Sequence, residues 1–371
     1  MKIKQGLQKQ SFQKHGFQSL AGLSLYEIKE LVSDFIIQDF RVKQIFNWIL
    51  CGAKDFSQMT NLPVSLQKEL SERFLLYSST IEKVYEDGET KKIVISLKDG
   101  FKIEAVLLND GKDRLTACIS TQAGCPAGCV FCKTGFLGFK RNLEKTEIIE
   151  QYLHLKSICD EGKRKKEHII DNIVVMGMGE PLLNLENLKK AIDFFNDKDG
   201  LNFSRRRITV STCGICNSLF EIANTLPFAR LALSLTTADE TLRKKLMPVS
   251  AGNPLHEIRN ALLLFQKNGG GRITLEIPLL GGINTGEKDA KLIFEFAKGL
   301  ETVINIIPWN PVEGLFFEGN ALKEPDKKET GEFIKMLESY NLKTTMRLRK
   351  GRSVMGACGQ LGNISPNEPK N

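Results

Sequence analysis

Apolar residues recur at helical spacing from residue 19 to about 77, with Ile45, Trp48 and Ile49 on one face and a turn near Leu62-Pro63. Ser24 and Glu27 make a capping box at the start of this stretch. The pattern predicts a small helical N-terminal domain over 19–80. The period then changes. Two short apolar segments, 91–97 and 101–108, flank Asp99-Gly100 and predict a β-hairpin within an extension over 81–113. On its second arm Glu104 alternates away from Phe101 and Ile103, which predicts a solvent-facing side chain.

From 114 onward strands and helices alternate. Strands are predicted near 114–121, 171–176, 207–212, 230–235, 272–279 and 303–307, and helices near 144–159, 185–197, 215–224, 254–268, 286–298 and 326–340. In the helix over 254–268, Asn253 is placed to cap, Pro254 to fill the first turn, and Gly269-Gly-Gly271 to stop it. Six βα units in one run predict an α/β fold, a parallel sheet curled into a partial (β/α)6 barrel over 114–363. Its chemistry is expected at the C-terminal ends of the strands. The unusual residues fall there. The loop from Cys125 to Cys132 follows the first strand, Gly177-Met-Gly-Glu-Pro181 the second, Ser211-Thr212 the third, Ser234-Leu-Thr236 the fourth and Pro308-Trp-Asn-Pro311 the sixth.

Composition narrows the class. The 371 residues are 42% hydrophobic and 26% charged, enough for a large core. No apolar stretch is long enough to span a bilayer and the start lacks a secretory h-region, so a cytoplasmic location is expected. Residues 1–18 read as a basic, flexible tail and 364–371 as a second tail. Lys and Arg outnumber Asp and Glu by 52 to 44, clumped in Lys163-Arg-Lys-Lys166, Arg205-Arg-Arg207, Arg243-Lys-Lys245 and Arg347-Leu-Arg-Lys-Gly-Arg352. Such clumping suits a polyanionic partner, although any one run is more often a solvated face.

Nine cysteines with three inside eight residues favour metal or redox chemistry over a disulfide framework. Cys125, Cys129 and Cys132 can converge from one loop, and soft thiolates suit iron–sulfur clusters and zinc. Structural zinc wants a fourth nearby ligand, which this loop lacks. Three thiolates on a four-iron, four-sulfur cluster leave one iron open. That iron can take the amino and carboxylate groups of S-adenosylmethionine, whose reductive cleavage yields a deoxyadenosyl radical. Cys213-Gly-Ile-Cys216 is a lone CxxC and reads as packing. Gly177-Met-Gly-Glu-Pro181 is a candidate for the methionine end of the cofactor, with Glu180 accepting from an amine.

These residues resemble the RlmN/Cfr family of radical methyltransferases acting on adenine in RNA, over about 20–363. The likeness rests on Cys118, Ser120, Gln122 and Gly124 leading into the three-cysteine loop, on Met176-Gly-Met-Gly-Glu-Pro-Leu-Leu-Asn184, on Ser204-Arg-Arg-Arg207, on Ile306-Ile-Pro-Trp-Asn-Pro311 and on Ala357-Cys-Gly-Gln-Leu361. The resemblance implies that Cys358 carries a methyl group, that the radical removes hydrogen from it, and that the methylene adds to the adenine ring. It implies that Cys118 then attacks Cys358 sulfur, with Glu104 as proton acceptor. Gly179, Glu180, Ser211, Ser234, Leu235, Thr236 and Asn310 are implied to line the S-adenosylmethionine site. The Pro-Leu-Leu-Asn184 and Pro-Trp-Asn-Pro311 versions resemble the RlmN branch, which modifies carbon 2 in ribosomal RNA and in tRNA beside the anticodon. The Cfr branch modifies carbon 8. A small flavodoxin or ferredoxin is the implied electron donor. Without the family, Cys118 and Cys358 read as buried structural cysteines. Thr236 stands where the family usually has His, and Arg352-Ser-Val-Met355 replaces an acidic approach to Cys358.

Overall fold

The computed structural model describes residues 17–88, 90–109, 114–159, 170–346 and 354–362. Three helices come first: α1 (Leu25–Val32), α2 (Asp39–Leu50) and α3 (Val64–Arg73). The Ser24–Glu27 capping box forms as expected. Three antiparallel strands follow, β1 (Thr80–Asp87), β2 (Thr90–Ser96) and β3 (Lys102–Asn109), one more than the predicted hairpin. Then come β4 (Leu115–Cys118), β5 (Gln122–Gly124), α4 (Lys133–Phe136), β6 (Phe139–Asn142), α5 (Lys145–Ser157), β7 (Asn172–Val175) and α6 (Leu185–Asn196). The chain continues through β8 (Ile208–Thr212), α7 (Cys216–Asn224), β9 (Arg230–Ser234), α8 (Glu240–Leu246), α9 (Leu255–Lys267), β10 (Ile273–Leu279) and α10 (Glu287–Ala297). It ends in β11 (Thr302–Pro308), the short strands β12 (Phe316–Phe317) and β13 (Asn320–Ala321), α11 (Lys327–Ser339) and β14 (Thr344–Met346).

Ten strands form one sheet in the order β1-β2-β3-β4-β7-β8-β9-β10-β11-β14. From β4 to β14 every pairing is parallel, so the six predicted strands gain a seventh at the edge. Among the described residues the end strands do not pair, which is the open arrangement of a partial barrel. Parallel strands need crossover connections, and α5, α6, α7, α9, α10 and α11 supply them. The core is continuous from Leu20 to Leu361.

Helix α5 is buried almost all round: α6 and β3 pack against it, and the chain at the start of α1 meets its first turn. A Cβ at Gly22 would lie 2.8 Å from Thr146, and Lys145 pairs with Glu27 at 2.6 Å. Burial of its polar residues is matched by bonds. Glu150 accepts from the amides and hydroxyls of Ser78 and Ser79, where the helical region joins β1. Gln151 satisfies both backbone groups of Ser120 just past β4. Asn253 does not cap α9, whose N-cap is Pro254. Its side chain accepts instead from Cys216 N at 2.8 Å and so serves the first turn of α7. Among the described residues, no helix is long and apolar enough to cross a membrane.

Candidate active site

The cysteine loop spans the gap between β5 and α4, and its backbone is tied down from four directions. β5 pairs with β6, and Cys125 N donates to Gly138 O at 3.1 Å, closing the neck of the loop. From the region of α8, Leu246 O accepts from Val130 N and Ala127 O from Val249 N. Trp309 Nε1 donates to Phe131 O at 2.8 Å. Lys133 N donates to Gly359 O and Thr134 Oγ1 to Leu361 O, which stitches the C-terminal segment onto the loop. Gly135 has to be glycine: a Cβ there would lie 2.9 Å from both N and O of Cys129.

Burial pushes the Cys125 thiol up to about 12 and the Cys129 thiol well above its ordinary value, each thiolate adding to its neighbour's penalty. Cys132 is also raised by burial, and backbone amides of Gly135 and Thr134 partly offset this. Buried thiols of this kind need cationic iron to shed their protons. Among the described residues, no three His, Cys, Asp or Glu side chains gather round one point as a single-ion site requires. A cubane differs, since each thiolate takes its own corner.

Beside the loop, the ends of β7 to β11 bring the other predicted residues together. Gly179 has φ +106°, and a Cβ would meet Gln122 at 2.7 Å. Glu180 is buried and accepts from Thr212 Oγ1 at 2.6 Å, from Leu182 N and Cys213 N, and from the Cys213 thiol. Burial still raises its carboxyl. Ser211 Oγ donates to Glu276 Oε2 at 2.6 Å and lies 3.1 Å from Ser234 Oγ. Leu235 is fully buried. Thr236, also fully buried, sits at φ +62°. Its Oγ1 and the Oδ1 of Asn310 are buried with no protein partner. Orphaned polar atoms at these two positions suit a polar cofactor such as S-adenosylmethionine, since buried polar groups seldom go unbonded. The residues present therefore fit the cluster and the cofactor: three cysteines to hold the iron and a polar rim to hold the ligand.

A second group stands on one face of β1 to β4. Residues directly opposite across a ladder share a face, and the register pairs Tyr85 with Lys92, Lys92 with Val106, Val94 with Glu104, and Val106 with Cys118. Glu104 is therefore not exposed. It is 0% accessible and salt-bridged to Lys92 at 2.8 Å, because residues 354–362 cover this face. Cys358 lies in that covering segment. Its carbonyl accepts from Asn310 Nδ2 at 3.2 Å, and Gln360 Nε2 donates to Pro311 O. Glu104, Cys118, Cys358 and the three-cysteine loop thus surround one region of the molecule.

Other expectations are revised. Arg243 belongs to no solvated run: it is 0% exposed, donating to the carbonyls of Ser234, Leu235 and Cys213. Arg205–Arg207 precede β8 at its N-terminal end, away from the strand ends that carry the site. Arg205 itself braces Pro227 O and Asp193. Lys244 and Lys245 are exposed and paired with Glu240 and Glu318. The runs 163–166 and 347–352 lie outside the described residues. Cys213 and Cys216 are buried, as packing residues would be. Sequence reasoning missed Lys92, Arg243 and Glu276, of which only a charged residue in an apolar strand was a signal.

Comparison with known proteins identifies the family. Residues 119–293 match the Radical SAM superfamily, and 18–76 match the ribosomal RNA large subunit methyltransferase N-terminal domain. A protein of Treponema denticola named as a probable dual-specificity RNA methyltransferase RlmN is 46% identical over 94% of this chain and 96% of its own length. One of the same name from Clostridioides difficile is 40% identical over 90% of this chain and 94% of its own. The crystal structure of a radical SAM methyltransferase from Sphaerobacter thermophilus superposes with a TM-score of 0.86 at 32% identity, covering 93% of this chain and 99% of that one. The chain belongs to the RlmN family of radical S-adenosylmethionine methyltransferases, enzymes built on a four-iron, four-sulfur cluster and S-adenosylmethionine.

Proposed function

We propose that this enzyme methylates carbon 2 of adenine in 23S ribosomal RNA, and in tRNA next to the anticodon, through a methyl group carried on Cys358. The observation that carries the reading is the segment 354–362. It holds Cys358 between the three-cysteine loop and the sheet face that bears Glu104 and Cys118. The names of the relatives support an RNA substrate. A small flavodoxin or ferredoxin would supply the electron.

Each residue then has a task. Cys125, Cys129 and Cys132 hold the cluster, and Gly179, Glu180, Ser211, Ser234, Leu235, Thr236 and Asn310 line the cofactor site. Bound there, the cofactors would supply a methyl group for Cys358 sulfur and, separately, a carbon radical able to remove one hydrogen atom from that methyl. Carbon 2 of adenine is a poor nucleophile, so the methylene radical on Cys358 adds to it instead. The adduct has one electron to lose, which a cluster held by the three cysteines would accept, and its carbon 2 proton passes to Glu104. The Cys118 thiolate attacks Cys358 sulfur, and the sulfur–carbon bond breaks with its electron pair on the methylene carbon. That carbon takes a proton and becomes methyl, leaving a Cys118–Cys358 disulfide that an external dithiol must reduce. At the rim, Phe136, Phe139 and Lys140 are exposed beside the loop and suit stacking and phosphate contacts.

Nucleoside analysis of RNA treated with reduced enzyme tests the position: 2-methyladenosine is expected, and 8-methyladenosine would assign the chain to the other branch. The thiols are separable. Cys358→Ala should form no covalent bond to RNA, while Cys118→Ala should accumulate a protein–RNA adduct that survives denaturation. Normal turnover by Cys118→Ala would sink the two-thiol route.

A further inference from the structure

The ion pair between Lys92 and Glu104 is sealed: both side chains are 0% exposed and 2.8 Å apart. Burying two charges is costly, and a pair of apolar residues on this face would avoid the cost. The pair is tied to something else. Lys92 Nζ also lies 3.5 Å from Met355 O and 5.0 Å from the Tyr85 ring centroid, so the ammonium has a partner in each of three directions. Glu104 Oε2 accepts from Gly362 N. The two ends of the pair therefore grip the covering segment at two points, and Cys358 lies between them, three residues after Met355 and four before Gly362. Met355 is at φ +50°, a conformation that a residue with a side chain adopts only where its surroundings hold it.

We propose that Lys92 is a positioning residue for the reaction: with Glu104 it forms a two-point latch that fixes the Cys358 segment over the sheet and keeps the Glu104 carboxylate ionised until a proton arrives. The proton-acceptor half rests on the role proposed above for Glu104. The latch half rests on geometry alone. Removing the ammonium leaves a buried carboxyl whose burial already favours the protonated form, with only the Gly362 amide opposing it. The other titratable groups on or against this face, among the described residues, are Lys83, Tyr85 and Asp87 on β1, Lys102 on β3, Cys118 on β4 and Cys358 on the segment. Proton transfer to Glu104 also neutralises one half of the grip, so taking the substrate proton loosens the segment that carries the spent sulfur.

Two measurements on the cluster-loaded enzyme test this. In single-turnover methylation across pH, Lys92→Met is expected to move the rising limb to higher pH, and Lys92→Arg to restore it. In hydrogen–deuterium exchange without RNA, Lys92→Met is expected to speed exchange over 354–362 roughly tenfold or more, the size of a lost charge-assisted bond, while β7 and β8 stay unchanged. The double variant Lys92→Met, Glu104→Leu removes both charges and keeps the fold; its segment should exchange as fast as in Lys92→Met. Wild-type exchange in Lys92→Met, or failure of Lys92→Arg to restore either readout, would overturn the latch. Absence of methylated adenine in the wild type at every pH would instead count against the proposed function, and the exchange result would judge the latch on its own.

Discussion

Glu150 and His154 lie one turn apart on α5, both buried, and are joined through the Ser79 hydroxyl, 3.0 Å from His154 Nε2. Burial pushes the Glu150 carboxyl from 4.5 up to about 7 and the His154 imidazole from 6.5 down to about 4. The signs oppose. A carboxyl raised by folding adds stability that is complete below its unfolded value and is lost as pH rises through 7. An imidazole lowered by folding adds stability that is complete above 6.5 and is lost as pH falls through 4. Each is worth about 3 kcal/mol, from two and a half decades at about 1.4 kcal/mol per decade. Between pH 7 and 4 the two largely cancel in the wild type. Glu150→Gln exposes the histidine: relative to wild type, its unfolding free energy should fall by about 3 kcal/mol as pH is lowered from 7 to 4.5. His154→Phe, which keeps a ring stacked on Tyr77, should gain about as much relative to wild type between pH 6.5 and 4. Urea unfolding of the cluster-free protein followed by circular dichroism at each pH measures both. Parallel profiles for wild type and Glu150→Gln would mean that this carboxyl titrates alike folded and unfolded, and the reasoning would be wrong.

Cys125→Ala, Cys129→Ala and Cys132→Ala should each lose iron and the broad visible absorption, whereas Cys216→Ala should keep both; iron analysis and absorbance decide this. Gly179→Ala puts a Cβ 2.7 Å from Gln122 at a φ that side chains rarely adopt. It should cost roughly 1–3 kcal/mol in denaturant unfolding and weaken S-adenosylmethionine binding in calorimetry. Phe136→Ala with Phe139→Ala should reduce RNA affinity by roughly 1–3 kcal/mol per stacked base, while Arg206→Gln with Arg207→Gln, at the far end of β8, should change it little. Filter binding at several salt concentrations distinguishes these outcomes; the reverse ranking would move the RNA to the other end of the strands.

The six crossover helices and the strands β4 and β7 to β11 were legible to within a few residues because each carries a strong apolar period closed by glycine, proline or a capping residue, whereas α8 lay hidden in a basic run. β1 and β14 were not. The first is an edge strand with one buried residue in eight, and the second is Thr-Thr-Met at the opposite edge, so neither shows the alternation that marks a half-buried strand. Alternation also misled at Glu104. It says which face a residue takes but not what covers that face, and the cover comes from residues more than 250 positions later. Arg243 begins a three-residue basic run that looks solvated, and its burial follows from carbonyls at the ends of β8 and β9 that no local pattern reveals. The three-cysteine loop was readable from spacing. The expected roles of Glu104, Cys118 and Cys358 came only through family resemblance, since isolated thiols and one carboxylate carry no pattern of their own.

The docking of residues 354–362 onto β2 and β3 also sets an order of events in synthesis. Lys92 meets Met355 across 263 positions and Glu104 meets Gly362 across 258, so these contacts close only when nearly all the intervening chain has emerged. The helices, the sheet and the cysteine loop all precede the segment in the chain and can fold while it is still inside the ribosome. Contacts of such long sequence separation also form slowly once the chain is free. A nascent or truncated copy can therefore hold the three-cysteine loop while lacking Cys358, the thiol proposed above to carry the methyl group, which arrives only with the segment 354–362.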